Sequence, residues 1–163
     1  MLSIDSRLQV WSPDTSITGA AVTGFTTPVY NQVSDLAPAQ NARQMTVTSL
    51  GGTQGQASAN SAGEPFTATF YKPTILKSVP AGNPVTGLRG QIPTNQYKLI
   101  VRKGGECAAG VPGSVIFRLT ADVSAGMETY DPDNVRAAVS YFVGLLTEES
   151  SDLADTLITG VVP

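Results

Sequence analysis

Two strand-like segments carry the residues best suited to chemistry. In QYKLIVRK (96–103) alternation puts Lys98 and Arg102 on the side opposite Tyr97, Leu99 and Val101. In SVIFRLTADVS (114–124) it puts Arg118, Thr120 and Asp122 opposite Phe117, Leu119 and Ala121. A half-buried strand needs one solvated face, and solvation alone does not demand that the face be basic in a chain of net charge −3. The chemistry this pattern suits is anion binding by ammonium and guanidinium groups, with hydroxyls as further donors. The plainer reading is that these charges only solvate the sheet.

Other chemistries lack their parts. There is no histidine, so the commonest general base and the commonest zinc ligand are missing. Cys107 is the single cysteine, which rules out an internal disulfide framework and a Cys–His nucleophile pair. Phosphate-loop, dinucleotide and nucleophile-elbow motifs are also missing. The expectation is a non-enzymatic protein with no cofactor, metal or small-molecule substrate.

Charge is segregated along the chain. Between residues 43 and 118, Arg43, Lys72, Lys77, Arg89, Lys98, Arg102, Lys103 and Arg118 face only Glu64 and Glu106, a net +6. From residue 119 onward Arg136 is the one base against Asp122, Glu128, Asp131, Asp133, Glu148, Glu149, Asp152 and Asp155, a net −7. The first 42 residues add −2. Charged residues make up 14% of the chain, against about a quarter in ordinary soluble domains. A surface so poor in charge is a solubility risk for a monomer, and less of one if subunits bury it.

The elements that must position these residues read as an α+β chain of one domain, 1–163. RLQVW and ITGAAVTGF, separated by SPDTS, read as an N-terminal hairpin within 1–42, with Pro28 and Pro38 as breakers. An antiparallel sheet of about five strands follows over 43–124. RQMTVTSL puts Met45 and Val47 opposite Gln44, Thr46 and Thr48, and PFTATFYK puts Phe66, Ala68 and Phe70 opposite Thr67, Thr69 and Tyr71. Long loops are expected at 51–64, flexible by composition, at 73–94, and at 104–113.

Two helices are expected over 131–160. Asp131 suits the N-cap, Pro132 the first helical position, and Val135, Ala138, Val139, Phe142, Val143, Leu145 and Leu146 form an apolar stripe. Gly144 inside that helix suggests close packing against another backbone. Glu148 and Glu149 mark a helix end or break, because the dipole disfavours them there. SSDLADTLITG reads as a second helix capped by Ser150 or Ser151 and stopped by Gly160. VRAAVSYFVGLL is too short and too polar to span a bilayer, and MLSIDSRLQVW lacks the basic-then-apolar pattern of a secretory signal.

The order of these elements resembles the coat proteins of single-stranded RNA bacteriophages, the leviviruses and their relatives. The resemblance is carried by QYKLIVRK, GGECAAGVPG, IFRLTADVS, DPDNVRAAVSYFVGLL and SSDLADTLITGVVP, roughly two-fifths of the chain. It implies an interlocked homodimer in which sheets join edge to edge and the helices of each subunit cross its partner. Val139, Phe142 and Leu146 would then cover the partner's Phe117 and Leu119. It also implies an icosahedral T=3 shell, assembled in the bacterial cytoplasm, with the helices outside and the sheet facing packaged single-stranded RNA. No membrane is involved in that reading.

Carried over by position, the RNA-contacting residues are Thr46, Thr48, Thr67, Thr69, Tyr71, Lys98, Arg102, Arg118, Thr120 and Asp122. The family further implies binding of a genomic hairpin that represses replicase translation. Thr120 stands where some members have an aromatic platform. Tyr71 is then either a base platform or a cross-strand packing partner, and Asp122 either a base acceptor or the partner of a neighbouring arginine. Cys107 falls in the loop that lines the family's symmetry axes. It reads as a free thiol in a reducing cytoplasm, or as an inter-subunit disulfide. The competing class is a β-rich tube, pilus or decoration protein without nucleic acid, which explains the low charge but not its segregation.

Overall fold

The computed structural model describes residues 15–162. RLQVW, half of the expected N-terminal hairpin, lies outside the described residues. Among them six strands form one antiparallel sheet in chain order: β1 (Ser16–Thr18), β2 (Thr26–Asp35), β3 (Ala42–Thr53), β4 (Phe66–Tyr71), β5 (Thr94–Ala108) and β6 (Val111–Ser124). Three helices follow: α1 (Met127–Tyr130), α2 (Pro132–Glu148) and α3 (Ser150–Thr159).

The first hairpin among the described residues pairs β1 with β2. Of ITGAAVTGF only Ile17 and Thr18 lie in β1, and TPVYNQVSD forms the partner strand. Pro28 does not break β2, because it sits at a register shift between Thr26 and Val29 where no ladder donor is needed. Gly52 answers it across the pair with φ 73°. A Cβ there would lie 2.1 Å from the Thr27 carbonyl oxygen, so this bulge requires glycine.

Two of the expected loops are shorter than their composition suggests. β5 and β6 run through GGECAAGVPG and leave a turn at Ala109 and Gly110, the glycine at φ 73°. Cross-strand pairing outweighs glycine's low strand propensity in that long hairpin. The first three residues of 51–64 belong to β3, and the remainder is tied down. Gln54 Nε2 donates to the Val29 and Gly51 carbonyls (3.2 and 2.9 Å), and the Asn60 and Phe66 amides donate to Val47 O and Asn60 Oδ1. The 73–94 excursion forms no strand before Thr94. It is pinned by Asn95, 3% exposed, whose amide bonds both the N–H and the C=O of Lys77.

The helical region departs in detail. α1 is an additional turn before α2. Asp131 occupies the N-cap of α2 and Pro132 opens it, yet the Asp131 carboxylate accepts from Asn134 Nδ2 (2.6 Å) instead of from the backbone. Glu149 alone separates α2 from α3, so the N-cap of α3 is Glu149, not a serine. Ser150 Oγ donates to the Ala21 and Thr147 carbonyls, and Thr23 Oγ1 to Asp155 Oδ2 (3.0 Å), which fastens α3 to the β1–β2 loop. Gly160 ends α3 at φ 73°, as its position predicts.

Apolar packing inside the single chain is thin. Among the described residues the buried apolar side chains are Met45, Val47 and Ala125. Tyr30 meets Phe66 edge-on at 5.7 Å and Phe70 lies over Tyr97 at 6.5 Å, all on the face of Met45 and Val47. Towards β6 that face stays open: Phe117 is 48% exposed, and Phe142 on α2 is 40% exposed. Beyond its own helix backbone, no described residue lies within 4 Å of a Cβ placed on Gly144, so the described part of the subunit supplies no close neighbour there.

Candidate nucleic-acid interface

Strand register decides which side chains meet. Thr46 pairs with Thr67, Thr67 with Arg102, and Arg102 with Ile116; Tyr71 pairs with Lys98, and Lys98 with Thr120. Directly paired residues share a face, so Thr46, Thr67, Thr69, Tyr71, Lys98, Arg102, Arg118, Thr120 and Asp122 all lie on one side of β3–β6. Thr48 is the exception: it falls at a β2–β3 register shift and donates to the Asn31 carbonyl (3.2 Å).

The three cations form a triangle. Lys98 and Arg102, four residues apart on β5, are separated by about 13 Å along the strand. Arg118, paired with Ile100, sits between them on β6 at a diagonal spacing of about 7–8 Å from each. None of the three makes an ion pair with a described residue. Asp122, paired with Gln96, accepts from its Nε2 (3.0 Å), not from Arg118 or Arg102. Lys103 points to the opposite face, 5.5 Å from the Phe66 ring centroid, where its Nζ meets Ser58 Oγ (3.1 Å) and Glu64 (3.7 Å).

The β3–β4 part of the same face is closed on itself. Asp35 on β2 accepts from Gln44 Nε2 and Thr46 Oγ1, both at 2.8 Å, and from the Leu36 amide (2.7 Å). Gln44 Oε1 in turn accepts from Thr69 Oγ1 at 3.0 Å. Thr69 is completely buried and Thr46 nearly so. These donors, Gln44 first, hold the Asp35 carboxyl below its ordinary pKa. Two of the threonines expected to contact RNA are therefore covered and committed within the chain.

Next to this network the face opens into a groove of about 300 Å³, lined by Asn41, Tyr71, Lys72, Pro73, Thr74, Gln96, Lys98 and Ile100. Of the residues singled out from the sequence, it brings together Tyr71 and Lys98. Gln96 shares their period-2 phase and could have been added on that ground. Asn41, Lys72 and Asp35 could not, because their positions depend on the pairing of neighbouring strands. Cys107 lies apart from all of these, exposed near the β5–β6 turn and bonded to nothing within the single chain.

Among known proteins, no family model and no curated sequence matches the chain. The solved virus-like particle of Beihai levi-like virus 32 is a distant likeness, 15% identical with a TM-score of 0.49, covering 82% of this chain and 88% of that one. The virus-like particle of bacteriophage ESE020 is far nearer: 40% identity and a TM-score of 0.89, over 93% of this chain and 99% of that one. Identity at that level across nearly all of both chains, on a six-stranded antiparallel sheet followed by C-terminal helices, means that the chain belongs to the coat proteins of the single-stranded RNA bacteriophages.

Proposed function

We propose that this capsid protein dimerises, closes into an icosahedral shell and packages single-stranded RNA against the open part of its polar sheet face. The observation that carries the RNA reading is the triangle of Lys98, Arg102 and Arg118, three cations on one face with no acidic partner among the described residues. Phosphate contacts supply most of the affinity in such complexes and make it salt-dependent. The acidic helices would face outward and the basic sheet inward, which reconciles a net charge of −3 with an RNA container.

Dimerisation is supported by what the single chain leaves unfinished. Among the described residues β6 is an edge strand of 14 residues with no partner beyond it, an arrangement that invites pairing. Phe117, Leu119, Val139, Phe142 and Leu146 are all exposed in one chain, and two copies exchanging these surfaces would bury them. Phe142→Ala should then cost about 3–5 kcal/mol of dimer stability, read as loss of particles by electron microscopy and of dimer by sedimentation. Normal particles from that variant would reject this placement of the helix.

The decisive experiment for packaging is expression of the chain alone in bacteria, followed by quantification of nuclease-protected RNA in purified particles. Lys98→Glu with Arg102→Glu should reduce that RNA while leaving the dimer intact. Unchanged RNA content would move the site elsewhere on the protein. Binding of one genomic hairpin, with translational repression, is the finer part of the proposal. With Thr46 and Thr69 bonded internally, its contacts would fall to Thr67, Tyr71, Thr120 and Asp122.

A further inference from the structure

The 73–94 excursion turns its apolar side chains outward. Ile75, Leu76, Val85 and Leu88 are all exposed, Val85 to 90%. Aliphatic side chains gathered on one exposed segment mark a surface that something covers. Lys72, Lys77 and Arg89 accompany them, with no acid between residues 72 and 94. Lys77 and Arg89 make no ion pair with a described residue. The excursion is also held in shape. Asn83 Oδ1 accepts from the Val85 and Thr86 amides (2.8 and 3.2 Å), and the Asn83 amide donates to the Leu88 carbonyl (2.8 Å). The Ala125 amide donates to the Pro93 carbonyl (2.9 Å), and Val79 sits so close to Gly126 that a Cβ there would lie 2.5 Å from its Cγ2. A surface fixed beforehand loses little freedom on docking.

The complementary surface lies at the other end of the molecule. No base follows Arg136, and Glu148, Glu149 and Asp152 are exposed where α2 meets α3, on the helix that also exposes Leu157 and Ile158. α3 is fastened to Ala21 and Thr23 in the β1–β2 loop. Strand register separates the two surfaces. Asp35, Tyr71 and Thr94 stand at the excursion's end of the sheet, and Thr26 and Thr53, beside the β1–β2 loop, stand at the opposite end. The 10 residues of β2 span that interval, about 30 Å at the ordinary rise of a strand. One chain cannot bring the surfaces together, and two copies placed head to tail can. A contact between two different patches repeats from copy to copy until the array closes. A shell needs such a contact beside the twofold one, and neither the β6 edge nor the Phe117 and Phe142 surfaces use these residues.

We propose that the 73–94 excursion of one dimer docks on the α2–α3 corner of a neighbouring dimer. Its aliphatic side chains lie against Leu157 and Ile158, and Lys77 and Arg89 stand opposite Glu148 and Asp152. This contact rests on the reading of the chain as dimers that close into a shell, and gives that shell a specific joint between dimers. Apolar burial supplies its attraction, and the opposed charges fix its register and its partner.

The test is charge reversal and charge exchange in the full-length protein expressed in bacteria, with particles counted by electron microscopy and dimers measured by sedimentation. Lys77→Glu with Arg89→Glu should lose particles and keep dimers. Glu148→Lys with Asp152→Lys should do the same, although it adds positive charge, so weakened RNA neutralisation cannot account for both losses. The four substitutions together should restore particles, because the opposed charges are exchanged and not removed. Normal particles from either double variant, or no rescue in the fourfold variant, would overturn the docking contact. Dimers lost together with particles would place these surfaces inside the dimer and overturn a joint between dimers. If the wild type gives dimers and no particles, the shell reading itself fails and takes the joint with it.

Discussion

On β3 and β4 the polar face is closed: Asp35, Gln44, Thr46 and Thr69 spend their hydrogen bonds on one another. On β5 and β6 the same face is open, and Lys98, Arg102, Arg118 and Thr120 meet no acidic or hydrogen-bonding partner among the described residues. Alternation alone makes the two regions look alike, since both are rows of polar side chains opposite an apolar row. Their physics differs. Uncharged hydroxyls and amides close to a carboxylate satisfy each other and link three strands, and a buried hydroxyl left unpaired would be costly. Cations without a counter-charge keep their field for something outside the chain. On the proposed reading, the closed region is a frame and the open region a binding surface.

The largest effect that would break this contrast is on RNA affinity. Three phosphate contacts on single-stranded RNA give a salt slope of about −2 in log–log form. A fourfold rise in salt should then weaken wild-type binding by roughly 20-fold through these residues alone. Replacing Lys98, Arg102 and Arg118 together by Met should flatten the slope by about 2 units, checked by fluorescence anisotropy at several salt concentrations. If Thr69→Val flattened it equally, the division into frame and surface would be lost.

Thr69→Val sharpens the other side. It removes the donor to Gln44 from a completely buried position, and should cost about 1 kcal/mol of stability with RNA affinity unchanged. Denaturant unfolding of the assembled protein, paired with the binding assay, separates the two readouts.

The smallest effect is in pH. The Asp35 carboxyl is held below its ordinary value of 3.8 by Gln44, Thr46 and the Leu36 amide. A depressed carboxyl contributes stability that is present above the unfolded pKa and is lost as pH falls through the folded one. Wild type should therefore exceed Asp35→Ala in unfolding midpoint at neutral pH, and the gap should close in acid below the ordinary carboxyl range. Because Asp35 is exposed to solvent, the gap should be modest. A gap that widened on acidification would reverse the assigned role.

The sidedness of the candidate site was legible before the fold was known. The phase of Lys98, Arg102, Arg118 and Thr120 against Leu99, Phe117 and Leu119 follows from a period of two, and the sheet keeps it. The α2 stripe and the break near Glu149 follow from helical spacing and the dipole, and both are present. Boundaries were less legible where composition and pairing disagree. GGECAAGVPG reads as a loop because glycine is a poor strand former, yet each strand of a long hairpin supplies the other's hydrogen bonds. Pro28 reads as a breaker because it lacks an N–H, yet it lies where the register slips and no donor is required.

What the sequence determined by itself was the sidedness of the strands, the segregation of charge and the amphipathic helix. All three are local properties, set by side-chain alternation and by which residues follow one another along the chain. What only the tertiary structure decided was which polar groups still have bonds to offer. Thr46 and Thr120 occupy equivalent phases on their strands, but β2 brings Asp35 to Thr46, while β6, at the sheet edge, brings no such partner to Thr120. Whether a polar residue is spent or available depends on residues far away in sequence, and only strand pairing brings them within hydrogen-bonding distance.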